Sequence, residues 1–272
     1  MNGGIKTLSV KQKILDATHG RRLGRPDWDL AQFLLLHYDE IDRLRTADLA
    51  ESCHISSSTV RRFCQSLGYD NFSDLRRAKC DNPENQYEIA VENQRSGLYH
   101  PRRLYDEARS CLWEIGQKSG ADALSRLAGE MLAADAALIF ALRPYNFVLQ
   151  EFQSQYSSLG RALFIFDSVE PARAVIERNE RLCFIVVSPA GVLFPAIDAE
   201  LSAQNGRKAA VYCPRTLRAM GAEGCLESYD ERFALNVRVQ EYNYLEVYGK
   251  YAVMYFFDML LGTIVEQRTA AE

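Results

Sequence analysis

Four short apolar runs recur through the second half of the chain: Ala136-Ala-Leu-Ile-Phe-Ala-Leu142, Ala162-Leu-Phe-Ile-Phe166, Leu182-Cys-Phe-Ile-Val-Val187 and Ala209-Ala-Val-Tyr-Cys213. Each has the length of a strand and is apolar at successive positions rather than alternate ones, as a strand buried on both faces must be. Helical patterns lie between them at 147–159, 172–177 and 194–204, and two more precede them at 104–113 and 121–132. Strands alternating with helices predict a parallel sheet covered on both sides. A weaker strand is expected between Cys225 and Tyr229, and a long apolar helix from Tyr242 to Glu266 closes the fold.

The chain before this region has another pattern. From Arg45 to Tyr69 it reads as two short helices joined by a tight turn. Thr46 is expected to cap the first, with Ala47, Leu49 and Ala50 as its small and apolar positions and Asp48 and Glu51 near its positive end. Cys53-His54-Ile55 forms the turn, and Ile55 plugs the angle between the helices. Ser56 is expected to cap the second helix, in which Val60, Phe63, Cys64 and Leu67 share a face, and Gly68 to close it in a left-handed conformation. Upstream, Pro26 suits a first helical turn, and the helix it opens is expected to put Trp28 and Phe33 in the core. A shorter helix is expected around Val10 to Thr18 in a loosely packed lead-in.

In a helix-turn-helix the second helix enters the major groove by its N-terminal end, where short hydroxyls meet phosphates or base edges and arginine forks onto guanine. Ser57, Ser58, Thr59 and Arg61 are therefore base-edge candidates, and the adjacent Arg62 reaches either a base or a phosphate. Thr46 and Ser56, at the two helix starts, complete the candidate set on this pair. Arg76, Arg77 and Lys79 on the next helix face either backbone phosphates or solvent. The same pattern also fits an ordinary helical hairpin with a solvated polar face.

Leu49-Ala-Glu, Ile55-Ser, Thr59-Val, Arg62-Phe-Cys and Leu67-Gly-Tyr, followed by Asn71-Phe-Ser-Asp-Leu, resemble the N-terminal domain of RpiR-type (MurR/RpiR) bacterial transcriptional regulators. The resemblance implies a helix-turn-helix followed by a sugar isomerase (SIS) domain that senses phosphosugars. It further implies a Gly-rich loop bearing Ser after the first strand and a Ser-x-Ser/Thr-Gly loop after the third. The chain departs from both loops. Arg143, Pro144 and Tyr145 occupy the first and remove the close backbone approach that glycine permits. In the second, Ser188 and Gly191 match, Ala190 stands where a hydroxyl is expected, and Val192 replaces a polar residue. An altered effector site is expected, with Arg143, Tyr145, Asn146, Ser188 and Gly191 as its candidates, Arg143 supplying a charged fork in place of lost hydroxyls.

With 272 residues the chain is long enough for two domains of unequal size. The expected division is a helix-turn-helix domain over 1–80, a polar linker over 81–100 and an SIS-like, doubly wound α/β domain over 101–272. A net charge of −4 confines any nucleic-acid contact to a local surface. Seven cysteines without a Cys-x-x-Cys pair, and four histidines without ligand spacing, predict reduced thiols and no metal site. The apolar stretch 251–265 is too short to span a bilayer and contains Asp258, so a cytoplasmic location without membrane contact is expected. Glu241 and Glu246 are the acids best placed to act as a base, yet a helix start explains them equally, so neither catalysis nor a cofactor is expected. The expected partners are double-stranded operator DNA, a phosphosugar or other small anionic effector, and a second copy of the chain in a dimer or tetramer. Two alternatives stay open: a phosphosugar isomerase, and a DNA-binding oligomeric scaffold that has lost its ligand response.

Overall fold

The computed structural model describes residues 10–20, 25–81, 91, 94–142, 145–235 and 242–271. Contacts divide the chain into two compact units, Met1–Val91 and Glu92–Glu272. Much of the lead-in (1–9 and 21–24) and of the expected linker (82–90 and 92–93) lies outside the described residues.

The N-terminal unit contains helices α1 (Val10–Gly20), α2 (Arg25–Leu36), α3 (Thr46–Ser52), α4 (Ser57–Ser66) and α5 (Phe72–Asp81). Its core gathers Ile14, Leu30, Leu34, Ile41, Leu49, Val60, Phe63, Cys64 and Leu75. Each of the larger of these side chains contributes roughly 1.5–3 kcal/mol by leaving water. Phe33 packs half-buried against this core, but Trp28, expected inside it, is 46% exposed. At about 100° per residue, Trp28 lies well round the helix from the buried face of Leu30, Ala31 and Leu34, so helical geometry overrides its apolar character.

In the second unit, α6 (Pro101–Lys118) and α7 (Ala121–Ala133) lead into β1 (Ala136–Ala141). There follow α8 (Tyr145–Ser158), β2 (Leu163–Phe166), α9 (Arg173–Arg178) and β3 (Leu182–Ser188). The chain continues through α10 (Leu193–Ser202), β4 (Arg207–Tyr212), α11 (Pro214–Ala219), β5 (Glu231–Ala234) and α12 (Tyr242–Ala271). The strands pair in parallel in the order β2-β1-β3-β4-β5. This is a doubly wound order, and it reverses direction between β1 and β3.

Strand alternation separates two cores. Ala137, Ile139, Cys183, Ile185 and Val211 face the layer that includes α7, α8 and α12, whereas Leu138, Phe140, Phe184, Val186 and Ala210 face the layer that includes α10. Every residue of β1 and β3 is buried, which accounts for their uninterrupted apolar runs. On α12, Ala252, Val253, Phe256, Phe257, Leu260 and Ile264 are fully or almost fully buried in the first layer. Among the described residues no helix is long and apolar enough to cross a membrane.

The fifth strand differs from expectation. The residues from Cys225 to Ser228 belong to a 3-10 turn, Glu223–Ser228, and the strand is Glu231–Ala234. Asp230 sets its register: its backbone N–H donates to Lys208 O at 2.9 Å, and its carboxylate accepts from Lys208 N at 2.9 Å and from Arg207 at 3.2 Å. As an edge strand it carries Glu231 and Arg232, which suppress the apolar signal by which strands are recognised.

Candidate nucleic-acid interface and effector cleft

Ser56 occupies the N-cap of α4 with extended backbone, and its Oγ accepts a hydrogen bond from Thr59 N at 3.2 Å. The same Oγ lies 2.7 Å from Ser58 Oγ and 3.0 Å from Thr59 Oγ1, so three hydroxyls form one cluster around the cap. Val60, Phe63 and Cys64 anchor the helix in the core, while Ser57, Ser58, Arg61, Arg62, Gln65 and Ser66 are exposed. Gly68, at φ +84°, ends it: Gly68 N donates to Gln65 O at 3.0 Å and Tyr69 N to Cys64 O at 3.0 Å, the two bonds of a Schellman cap.

The turn before α4 uses the same device. His54 adopts φ +53°, with His54 N donating to Glu51 O at 3.2 Å and Ile55 N to Ala50 O at 2.9 Å. The N-cap of α3 falls on Arg45 rather than on Thr46, which becomes the first helical residue. Asp48 explains the displacement, since its carboxylate accepts from Arg45 N at 2.7 Å and from the Arg45 guanidinium at 3.0 Å. The Arg45 guanidinium beside it holds the Asp48 carboxyl below its ordinary value.

The basic residues of this unit separate into two groups. Arg76 is half-buried and donates to Leu44 O at 3.1 Å, Arg77 pairs with Asp74 at 2.6 Å, and Lys79 pairs with Asp42 and sits over the Tyr38 ring. Arg61 and Arg62 are exposed and have no intramolecular partner among the described residues. Cations with no internal partner are free to neutralise phosphates or to fork onto base edges. Gln65, which the helix-start pattern did not single out, shares their exposure. Its signal lay in the spacing, three and four residues beyond Arg62 and Arg61.

In the second unit, β1 and β3 are hydrogen-bonded neighbours with Ala141 opposite Val187, so the loops that follow them leave the sheet side by side at its carboxyl end. Ligands of doubly wound sheets gather at such a switch point. Arg143 lies outside the described residues, as do Glu241 and the side chain of Glu246. Tyr145 is buried at the start of α8, so close to α12 that a Cβ added at Gly249 would lie 2.8 Å from its hydroxyl. Asn146 is half-buried, and its Oδ1 has no hydrogen-bond partner among the described residues. Ser188 is buried, and its Oγ accepts from Leu193 N at 3.1 Å, which occupies a backbone donor at the start of α10. Gly191, at φ +80°, is packed so that a Cβ there would lie 3.2 Å from Met220 Sδ and 3.4 Å from Leu217.

A shallow cleft of about 60 Å³ opens at the opposite, amino end of the sheet, lined in part by Arg126, Glu130, Arg207, Asp230 and Glu231. Most of its charges are mutually paired, Arg207 with Glu130 and Asp230 at 3.2 Å each and Arg126 with Glu231 at 2.5 Å, while Lys208 Nζ donates to Gln204 O at 2.8 Å. Among the described residues no group of three or more His, Cys, Asp or Glu side chains is placed to hold a metal ion.

The molecule thus joins a helix-turn-helix unit, with two arginines on its second helix that have no partner among the described residues, to a doubly wound α/β unit. Residues 13–81 match the helix-turn-helix domain of the rpiR family. No curated protein matches the chain. Among solved structures, the Vibrio vulnificus NanR protein complexed with ManNAc-6P is similar at 16% identity over 94% of this chain and 92% of its own, with a TM-score of 0.49. The hypothetical protein MJ1247 of Methanococcus jannaschii, for which a 3-hexulose-6-phosphate isomerase function was inferred, is similar at 15% identity over 61% of this chain and 90% of its own, with a TM-score of 0.45.

Proposed function

We propose that the chain is a DNA-binding transcriptional regulator of the sugar-metabolism type and not an enzyme. In this reading residues 1–80 read operator DNA in the cytoplasm, 81–100 link the two parts, and the SIS-like unit over 101–272 joins protomers and carries an altered effector site. One observation carries the reading: within a segment that matches the rpiR helix-turn-helix family, α4 presents Arg61 and Arg62 exposed, without a partner among the described residues, on a capped helix. Helices of this kind enter the major groove, with phosphate contacts fixing their register.

The test is selection of duplexes with a randomised core by the full-length protein, followed by titration of the enriched sequence. A selected motif that shifts in a gel, with the shift abolished by Arg61→Ala combined with Arg62→Ala, is the expected result. Enrichment of no motif, or full retention of binding by the folded double variant, contradicts it.

A second reading, an oligomeric scaffold without ligand response, is favoured by the Ser188 hydrogen bond to Leu193 N and by the packing of Gly191 against Leu217 and Met220. The first contact occupies a backbone donor at a helix start, the kind of donor that anions otherwise bind, and the second packs the loop against its neighbours. Thermal-shift measurements with hexose and hexosamine 6-phosphates separate the readings, because a ligand at a hundred times its Kd stabilises by about 2.7 kcal/mol. Stabilisation by one of them supports an altered sensor. No shift with any of them, alongside intact DNA binding, supports the scaffold. Turnover of a phosphosugar by the full chain would instead favour an isomerase.

A further inference from the structure

The exposed residues of α4 are not equivalent in direction. At about 100° per residue, the buried side formed by Val60, Phe63, Cys64 and Leu67 is centred close to Val60. The opposite direction passes between Ser58 and Arg62, with Gln65 within about 30° of it. Arg61 lies about 70° round from that direction and Ser57 about 110°, both on the same flank. Thr59, half-buried with its Oγ1 against Ser56 Oγ, belongs to the cap.

We propose that the line Ser58, Arg62 and Gln65 reads bases, and that Arg61, with Ser57 beside it, meets the sugar-phosphate backbone. The assignment rests on the DNA-reading function above and reverses the roles that proximity to the helix start gives the two arginines. A helix seated with its buried face away from the duplex puts the opposite line deepest in the groove and the flanks against its walls. From Ser58 to Gln65 the helix advances about 10 Å, which matches about three base-pair steps of roughly 3.4 Å. The Ser58 hydroxyl, 2.7 Å from Ser56 Oγ, stands at the leading end of this line. Arg62 presents a fork that fits guanine O6 and N7, and the Gln65 amide fits adenine N6 and N7. Their axial separation of about 4.5 Å corresponds to one or two base-pair steps. The DNA class recognised is therefore a half-site with a guanine and an adenine about one or two base pairs apart.

The experiment selects from one randomised-core duplex library with full-length wild type, Arg61→Ala, Arg62→Ala, Arg62→Lys and Gln65→Ala, and compares the enriched motifs. Wild type is expected to enrich a motif holding that guanine and adenine. Arg62→Ala should lose preference at the guanine alone, by about 5- to 150-fold, and Gln65→Ala should lose it at the adenine alone. Arg62→Lys keeps the charge without the planar fork, so it should retain nonspecific affinity while weakening the preference for guanine, even if the alanine variant folds poorly. Arg61→Ala should keep the whole motif, bind all duplexes more weakly and lower the salt slope by about one. A motif position lost with Arg61→Ala, or a motif unchanged by Gln65→Ala or by Arg62→Lys, overturns the assignment while leaving the DNA-reading function intact. A wild-type protein that enriches no motif overturns both.

Discussion

Replacing Ser56 separates its role as a helix cap from a role in reading DNA. Ser56→Ala removes the acceptor for Thr59 N and the shared partner of Ser58 Oγ and Thr59 Oγ1. The cluster is at the surface, so both released hydroxyls recover hydrogen bonds from water and no buried donor is orphaned. The cost is therefore that of a lost cap, about 1 kcal/mol, while Ser56→Gly should cost only a few tenths. For a unit of this size 1 kcal/mol lowers Tm by about 4–8 °C. The chain has two tryptophans, Trp28 in the N-terminal unit and the 69% exposed Trp113 in the other. In a Trp113→Phe background, urea denaturation followed by tryptophan fluorescence reports the N-terminal unit alone. The expected order of stability is wild type, then glycine, then alanine, with the glycine variant selecting the wild-type DNA motif. Equal losses for glycine and alanine, or a glycine variant that is stable but selects a different motif, would refute the cap assignment.

Three further outcomes follow from the same structure. His54→Gly removes a left-handed conformation that costs an L-residue about 1–2 kcal/mol, against about 0.5–1 kcal/mol of added chain entropy, so the Trp28 transition should move to slightly higher urea, whereas His54→Val should move it lower. Gly206→Ala should destabilise the α/β unit by more than about 2 kcal/mol, because Gly206 sits at φ +136° and a Cβ there would lie 2.5 Å from Leu182 O and 2.9 Å from the Phe184 ring; calorimetry with no loss would contradict this. Burial pushes the thiols of Cys64, Cys111 and Cys183 from about 9 up to about 12. Their raised folded values mean that the unfolded chain releases these protons first. The stabilisation is complete below pH 9 and is lost between about pH 9 and 12, at about 1.4 kcal/mol per pH unit for each thiol. Cys183→Ala should therefore flatten the alkaline fall of stability, and an unchanged slope would contradict the assignment.

What the sequence made legible is local chemistry. The Ser56 cap, the left-handed Gly68 and the face of Val60, Phe63 and Cys64 depend on neighbours within one or two helical turns, and spacing shows them directly. The runs that became β1 and β3 were equally plain, because burial on both faces leaves no polar interruption. Features that depend on distant partners were not legible. The α3 cap moved to Arg45 because Asp48 reaches back to its amide, and β5 was hidden by the charges an edge strand carries. The burial of Tyr145 depends on Gly249 in α12, which no local pattern connects to it. At the two candidate effector loops the sequence singled out Ser188 and Gly191 but not their engagement with Leu193 N, Leu217 and Met220. On α4 it found the hydroxyls and arginines but ranked them by closeness to the helix start, whereas direction relative to the buried face separates Arg62 and Gln65 from Arg61.

The most direct measurement is the ratio of affinities of the full-length protein for its selected duplex and for a scrambled duplex of the same composition, at one near-physiological salt concentration. If α4 reads sequence, the ratio should reach at least about 10³ for wild type and fall by about 5- to 150-fold for the folded Arg61→Ala, Arg62→Ala double variant. A wild-type ratio near one, or a double variant that keeps the wild-type ratio, would contradict a reading role for α4.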